Sequence, residues 1–191
     1  MKKKSKIYIG IDPAFRKDGF CICIIDKADN TARFVTFEDF LAFSSWFQHE
    51  APEAAIFCVE NSNLQNKNFA VTAEFVYNFF SKSLFLKITS ALQLILKFAR
   101  ICARKGRDVG KNQAISQCTV DLVKSRFPVI DCSPKDKGKK WNNREFLAVA
   151  KQEKIILPNQ ALKNYRSSQD ERDSFKLALM AKNKYYLAFK C

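Results

Sequence analysis

Four acidic residues stand where their side chains could bind a metal ion together. Asp12 ends the first predicted strand of the chain, and Glu60 ends the fourth. Asp170 and Asp173 lie three residues apart near the start of the last predicted helix, so they share one helix face. Carboxylates that converge repel one another, and the usual remedy is a hard divalent cation with oxygen ligands. The four acids therefore predict a site for Mg²⁺ or Mn²⁺.

Ordinary structural roles also fit each acid taken alone. An acid at the end of a strand, such as Asp12, is often only a turn residue. Acids in the first turn of a helix, such as Asp170 and Asp173, favour the helix dipole. Zinc is not predicted, because the chain has one histidine, His49, and its seven cysteines lack a second ligand pair at zinc spacing. Most cysteines lie in apolar segments and are predicted to be buried, namely Cys21, Cys23, Cys58, Cys102 and Cys118.

The elements that would position these acids follow from the hydrophobic pattern. Strands are predicted at residues 7–11, 20–25, 32–35, 54–60 and 128–132. A helix capped by Thr36 with Asp39 reaches about residue 48, and further helices are predicted at 70–81, 84–104, 108–126, 143–153 and 168–186. Ser168 and Glu171 form a predicted capping box. A meander of three strands, followed by strands that alternate with helices, predicts one α/β domain over residues 1–191.

The helix predicted at 84–104 is apolar around most of its circumference. It must therefore be covered, either by its own domain or by a second subunit. Lys87, Lys97 and Arg100 interrupt the apolar stretch, so we expect no membrane span. We also expect no signal peptide and a cytoplasmic protein.

Three segments together resemble the motifs of RuvC-like Holliday junction resolvases. Residues 10–20, Gly-Ile-Asp-Pro-Ala-Phe-Arg-Lys-Asp-Gly-Phe, are similar to the first motif, in which Gly-Ile-Asp-Pro-Gly leads to a glycine and an aromatic residue. Val59-Glu60 resembles the second motif, a glutamate that closes a buried strand. Residues 170–178 resemble the last, Asp-x-x-Asp-Ala with small residues after it. The small residues Ser174, Ala178 and Ala181 would let this helix approach the sheet closely.

The resemblance implies a ribonuclease H-like fold, with a mixed five-stranded sheet, helices on both faces and a helical insertion at about 70–107. It implies that Asp12, Glu60, Asp170 and Asp173 bind two Mg²⁺ ions, with Mn²⁺ as a substitute. One ion would help to deprotonate the attacking water and the other would stabilise the leaving 3′ oxygen. The implied enzyme is an endodeoxyribonuclease of bacterial or phage type. It would resolve four-way DNA junctions by paired nicks as a homodimer, with residues 84–104 as a candidate interface.

This sequence departs from the family's pattern at two positions. Ala14 replaces the usual glycine of the first motif, so the turn after Asp12 could differ. Bacterial resolvases carry an aromatic residue shortly after the glutamate that helps to open the junction. Here Asn63 occupies that neighbourhood and Phe69 comes later, which leaves strand opening and cleavage preference undetermined.

The net charge of +14, from 33 basic and 19 acidic residues, predicts a nucleic-acid partner. The residues expected to contact DNA are Arg16, Lys17, Asn63, Lys67, Lys135, Lys137, Lys139, Lys140 and Trp141. Trp141 fits equally well as a hydrophobic anchor for the following helix. Another basic cluster, Arg104, Lys105 and Arg107, could simply favour a helix C-terminus.

Three other functions fit parts of the pattern. Another ribonuclease H-like nuclease would act on flaps, forks or RNA/DNA hybrids, because carboxylates alone do not read substrate shape. A non-catalytic nucleic-acid-binding module could keep the same fold. Actin-like and sugar-kinase ATPases also begin with a glycine-aspartate turn. They need a second phosphate-binding glycine motif and a longer chain, and neither is found in 191 residues with five glycines.

Overall fold

The computed structural model describes residues 6–13, 20–64, 91–158 and 166–188, with the backbone alone at 91–95 and 184–188. Its centre is a five-stranded mixed sheet in the order β3-β2-β1-β4-β5. The strands are β1 (Ile7–Asp12), β2 (Phe20–Asp26), β3 (Thr31–Phe37), β4 (Ala55–Glu60) and β5 (Val129–Cys132). All five predicted strands are confirmed, and β-branched residues, which favour strands, occur in each of them.

The middle strand, β1, pairs antiparallel with β2 and parallel with β4. The pairs β2–β3 and β4–β5 are antiparallel and parallel, respectively. In the parallel pair Ile11 lies opposite Val59, so the next residues, Asp12 and Glu60, end neighbouring strands at one edge of the sheet. The register of this one pair brings two of the predicted acids together.

The helices are α1 (Phe40–His49), a 3₁₀ turn (Ser62–Leu64), α2 (Ala91–Lys124), α3 (Pro134–Lys137), α4 (Asn143–Gln152) and α5 (Gln169–Ala188). Asp39 alone caps α1, accepting a 2.9 Å hydrogen bond from the Ala42 amide, while Thr36 belongs to β3. The capping box of α5 is confirmed: the Ser168 amide donates to Glu171, and the Glu171 amide donates to the Ser168 hydroxyl. Side chains that satisfy free amides therefore fix where both helices begin.

The helix α2 is continuous over the region where two separate helices were predicted. No new helix begins at Asp108, so the predicted cap there is wrong. Gly106 and Gly110 each weaken a helix by only about 1 kcal/mol, and good helix formers surround them, so they do not break it. The helices predicted at 70–81 and over residues 84–90 lie outside the described residues.

Helices cover both faces of the sheet. One face packs against α4 and α5 through a core that includes Tyr8, Phe146 and Phe175. The opposite face packs against α1 and the C-terminal part of α2, through residues that include Phe43 and Val120. The neighbouring residues Tyr8 and Ile9 lie in different cores because successive strand side chains point to opposite faces. The mixed, helix-covered α/β sheet predicted from the sequence is confirmed.

Residues 96–114 of α2 are largely exposed. Leu96 is 49% exposed, and most residues from 97 to 114 are exposed as well. Residues 96–104, the described part of the helix predicted to be covered, are therefore exposed or half-buried, and none of them is buried. Cys118 is also exposed and Cys102 half-buried, unlike the buried Cys21, Cys23 and Cys58.

Within the described part of the chain, no helix combines the length and apolar character needed to cross a membrane.

Candidate active site

Three of the four predicted acids meet around one cation, the ammonium of Lys137. Its Nζ lies 3.5 Å from Asp12 Oδ1 and 3.2 Å from Asp173 Oδ2. It also forms an ion pair with Glu60 Oε2. The Lys137 side chain is 11% exposed, and those of Asp12, Glu60 and Asp173 are 14%, 15% and 8% exposed. The carboxylates are thus drawn together at the edge of the sheet and largely shielded from water.

Gly10 in β1 allows α5 to pack close enough to the sheet for Asp173 to lie at the ends of the strands. A methyl group at Gly10 would lie 2.0 Å from the Ser174 carbonyl oxygen and 2.2 Å from the Ala178 amide nitrogen. These distances are far below van der Waals contact, so only glycine allows the helix backbone to rest on the strand. The close approach that the small residues Ser174, Ala178 and Ala181 predicted is present, and all three are buried.

Lys137 reaches the site from the short helix α3, which follows β5. Ser133 caps α3, its side chain accepting a hydrogen bond from the Lys135 amide at 3.1 Å. The helix ends at Gly138, whose φ of +70° is a conformation that favours glycine. Because β5 lies beside β4, this short turn of helix delivers Lys137 to the carboxylate of Glu60.

Burial and nearby negative charges strongly raise the pKa of Asp12. Burial, the largest cause, and the charges of Glu60, Asp173 and Asp170 together raise its pKa from 3.8 to about 7, against the opposing effect of Lys137. Although burial disfavours the charged ammonium, the attraction of Asp12 and Glu60 raises the pKa of Lys137 above its usual value. Lys137 therefore stays charged and holds a cluster of acids that repel one another.

The fourth predicted acid, Asp170, lies one turn before Asp173 on α5 and is half-buried. Its charge acts on Asp12, which puts it within electrostatic range of the cluster. Gln169 also belongs to the site, since its Nε2 donates a 2.8 Å hydrogen bond to Asp173 Oδ1. Gln169 is not among the residues predicted from the sequence, although its position four residues before Asp173 on the same helix face is a usable signal.

The donor atoms suit a hard divalent cation. Carboxylate oxygens from Asp12, Glu60 and Asp173 point towards one positive charge, and oxygen ligands are those preferred by Mg²⁺ and Mn²⁺. No group of three or more acidic, histidine or cysteine side chains is arranged as a metal site within residues 6–13, 20–64, 91–158 and 166–188. In this structure the Lys137 ammonium lies between the three carboxylates.

The predicted DNA-contacting residues take different positions. Lys137 lies in the carboxylate cluster, whereas Lys135, Lys139 and Lys140 are exposed, and Lys139 pairs with Glu145 at 2.7 Å. Trp141 is half-buried against the core, with the Lys176 ammonium 4.3 Å from the centre of its ring. The Asn63 side-chain amide donates to the Gln113 carbonyl at 3.0 Å and so ties the 3₁₀ turn to α2. Arg16, Lys17 and Lys67 lie outside the described residues.

A stripe of basic side chains runs along the exposed half of α2. Arg100, Arg104, Arg107 and Lys111 line one open groove together. Their spacing of three or four residues places them on one helix face, over about 16 Å at 1.5 Å per residue. Arg104, Lys105 and Arg107 do not mark a helix C-terminus, because α2 continues to Lys124. We call Arg100, Arg104, Arg107 and Lys111 the basic stripe.

No match to this chain was found among known protein families, curated proteins or solved structures. The site's chemistry and geometry must therefore support any function on their own.

Proposed function

We propose that this protein is a metal-dependent endonuclease of ribonuclease H-like fold that hydrolyses phosphodiester bonds in branched DNA, with four-way junctions as its preferred substrate. The observation that carries the proposal is the convergence of Asp12, Glu60 and Asp173 around one cation at the edge of the sheet. Buried acids brought together from two strands and a helix are costly for a fold, so a structural role alone explains them poorly.

The arrangement of the sheet and helices supports this assignment. The sheet is mixed and five-stranded, helices cover both faces, and the acids end the adjacent strands β1 and β4. These are the features that the resemblance to RuvC-like resolvases implies. The helix α5 then supplies Asp173, and Asp170 beside it, to the same edge.

The chain's own residues would bind and orient the catalytic ions. Asp12, Glu60 and Asp173 would hold them, with Asp170 as a fourth carboxylate on the same face of α5. The Gln169 amide fixes one oxygen of Asp173 and leaves Oδ2 directed into the cluster. When bound, a pair of Mg²⁺ or Mn²⁺ ions supplies an activated water and stabilises the leaving 3′ oxygen of the cleaved strand.

The distribution of positive charge supports a DNA substrate. The chain carries a net charge of +14, yet the candidate site itself is acidic. The basic stripe lies on α2, whose Gln113 carbonyl accepts a hydrogen bond from Asn63 just after β4, and the exposed Lys135, Lys139 and Lys140 follow β5 in the chain. A basic surface beside an acidic centre can bind phosphates while metal ions neutralise the acids. Homodimer formation, which symmetric incision of a junction requires, remains a prediction, and the exposed Leu96 is compatible with it.

A non-catalytic nucleic-acid-binding module is the second candidate, because the Lys137 ammonium already compensates part of the acidic charge. Incubation with a four-way junction, a fork, an RNA/DNA hybrid and a plain duplex in Mg²⁺ separates the candidates. The proposed nuclease cuts the junction at least as fast as the fork and much faster than the duplex. Preference for the hybrid would indicate another nuclease of this fold. Binding without cutting in Mg²⁺ and in Mn²⁺ would favour the binding module.

A further inference from the structure

Lys137 and a divalent cation require the same position. Magnesium binds oxygen ligands at about 2.0–2.1 Å. The nearest oxygens of Asp12 and Asp173 lie 3.5 and 3.2 Å from the Lys137 nitrogen, which is the spacing of ion pairs around an ammonium. An ion bound by the same oxygens would lie where the ammonium now is, so the two cannot occupy the cluster together.

The charges in this cluster favour an exchange of cations. When Asp12, Glu60 and Asp173 are all ionised, one ammonium leaves two negative charges uncompensated among the groups in contact. Asp170 adds further negative potential at Asp12. A divalent cation compensates the cluster more completely than a lysine does, and it also tolerates shorter contacts to oxygen.

The position of Lys137 in the chain allows it to leave. It is the last residue of α3, it is followed by Gly138, and residues 138–140 are exposed. The lysine side chain is a flexible four-carbon stem, so rotation about its own bonds is enough to move the ammonium towards solvent.

We propose that Lys137 is a built-in counter-cation, which holds the carboxylates of the metal-free protein together and is displaced when a divalent cation binds. This inference rests on the proposed metal-dependent function and adds a regulatory step to it. Metal binding and release of Lys137 are then one event, and the lysine lowers the apparent affinity for the metal by the cost of its own displacement.

The first test measures Mn²⁺ binding by electron paramagnetic resonance in the absence of DNA. Lys137→Met removes the charge at similar length, and we expect it to bind Mn²⁺ on the order of tenfold more tightly than the wild type. Lys176→Met is the matched control for loss of a nearby charge, since the Lys176 ammonium lies over Trp141 and donates to the Lys139 carbonyl. An equal gain of affinity in both variants would overturn the proposal, because it would reflect long-range charge alone.

The second test needs no substitution and so does not depend on how a variant folds. Wild-type protein is acetylated briefly with and without saturating Mn²⁺, and modification of each lysine is measured by mass spectrometry. Lys137 should be protected without metal and modified several-fold faster with it, while the exposed Lys135 and Lys140 serve as internal references. Unchanged protection of Lys137 in protein that has bound Mn²⁺ would overturn the counter-cation role and leave the nuclease proposal standing. Failure of both the wild type and Lys137→Met to bind Mn²⁺ would contradict both proposals.

Discussion

Gly10 of β1 lies directly against the backbone of Ser174 in α5, so closely that a methyl group on Gly10 would be 2.0 Å from the Ser174 carbonyl oxygen. Asp12 follows two residues after Gly10, and Asp173 immediately precedes Ser174. The contact between backbone and backbone therefore sets the distance between two carboxylates of the candidate site. Gly10, a glycine of the first sequence motif, therefore helps to position these two acids.

Gly10→Ala should lower stability and separate the acids, because the clash involves backbone atoms that cannot rotate away. We expect a loss of roughly 1–3 kcal/mol or more in the free energy of unfolding, measured with urea. Gly106→Ala is the matched control, since a methyl group there meets nothing within 4 Å in the exposed part of α2. It should stabilise the protein by about 0.5–1 kcal/mol. Equal stability of Gly10→Ala and the wild type would contradict the described packing.

Much of this site could be predicted because its signals are local. Asp12 and Glu60 end predicted strands, and the capping box at Ser168 locates the start of α5. The role of Lys137 could not be predicted in this way. It depends on β5 lying beside β4, a contact between distant segments, and in the sequence Lys137 is one of several similar cations in a basic segment.

The continuity of α2 was missed for a different reason. Asp108 is a common capping residue, and two glycines lie nearby, so local preference indicated a break. Helix propensity is a weak guide where tertiary contacts anchor one end, as the burial of Val120 and Val123 does here. The basic stripe can be recognised only when α2 is known to be one unbroken helix.

The stability of the metal-free protein should depend on pH through Asp12. Its pKa is raised from 3.8 to about 7 by burial, so between these values the folded chain binds more protons than the unfolded chain. The free energy of unfolding should therefore fall as pH rises from about 4 to 7, with a limiting slope of about 1.4 kcal/mol per pH unit. Urea titrations in a chelating buffer measure the slope. Asp12→Asn should remove most of it, and an unaltered slope in that variant would contradict the assignment.

Substitutions of the different acids of the site should reduce the rate of cleavage to different extents. Glu60→Gln and Asp173→Asn should each reduce cutting of a junction by at least a hundredfold while circular dichroism remains unchanged, because both contact the central cation. Asp170→Asn should reduce it less, since this acid acts from one turn away. Asp131→Asn is the control, an acid of β5 that pairs with Lys124 at 2.7 Å. A cleavage defect in the control as large as that in Glu60→Gln would argue against a specific site.

The basic stripe on α2 should contribute to DNA affinity through contacts to phosphate. A triple substitution to glutamine at Arg100, Arg104 and Arg107 should weaken junction binding and reduce the slope of log affinity against log salt by about 2–3. A control variant replaces three exposed cations elsewhere with glutamine, namely Arg33, Lys151 and Lys154. Fluorescence anisotropy over a range of salt concentrations measures both variants. Identical salt slopes for the two triple variants would rule out a dedicated role for the stripe.

We propose that the carboxylate cluster around Lys137 performs metal-dependent cleavage of branched DNA. Incubation of a labelled four-way junction with Mg²⁺ and either wild-type protein or Asp12→Asn tests it most directly, with junction binding measured in parallel. We expect the wild type to produce paired nicks, and Asp12→Asn to bind the junction with similar affinity and leave it intact. A wild-type protein that binds the junction but leaves it uncut in Mg²⁺ and in Mn²⁺, or equal cutting by Asp12→Asn, would contradict the claim.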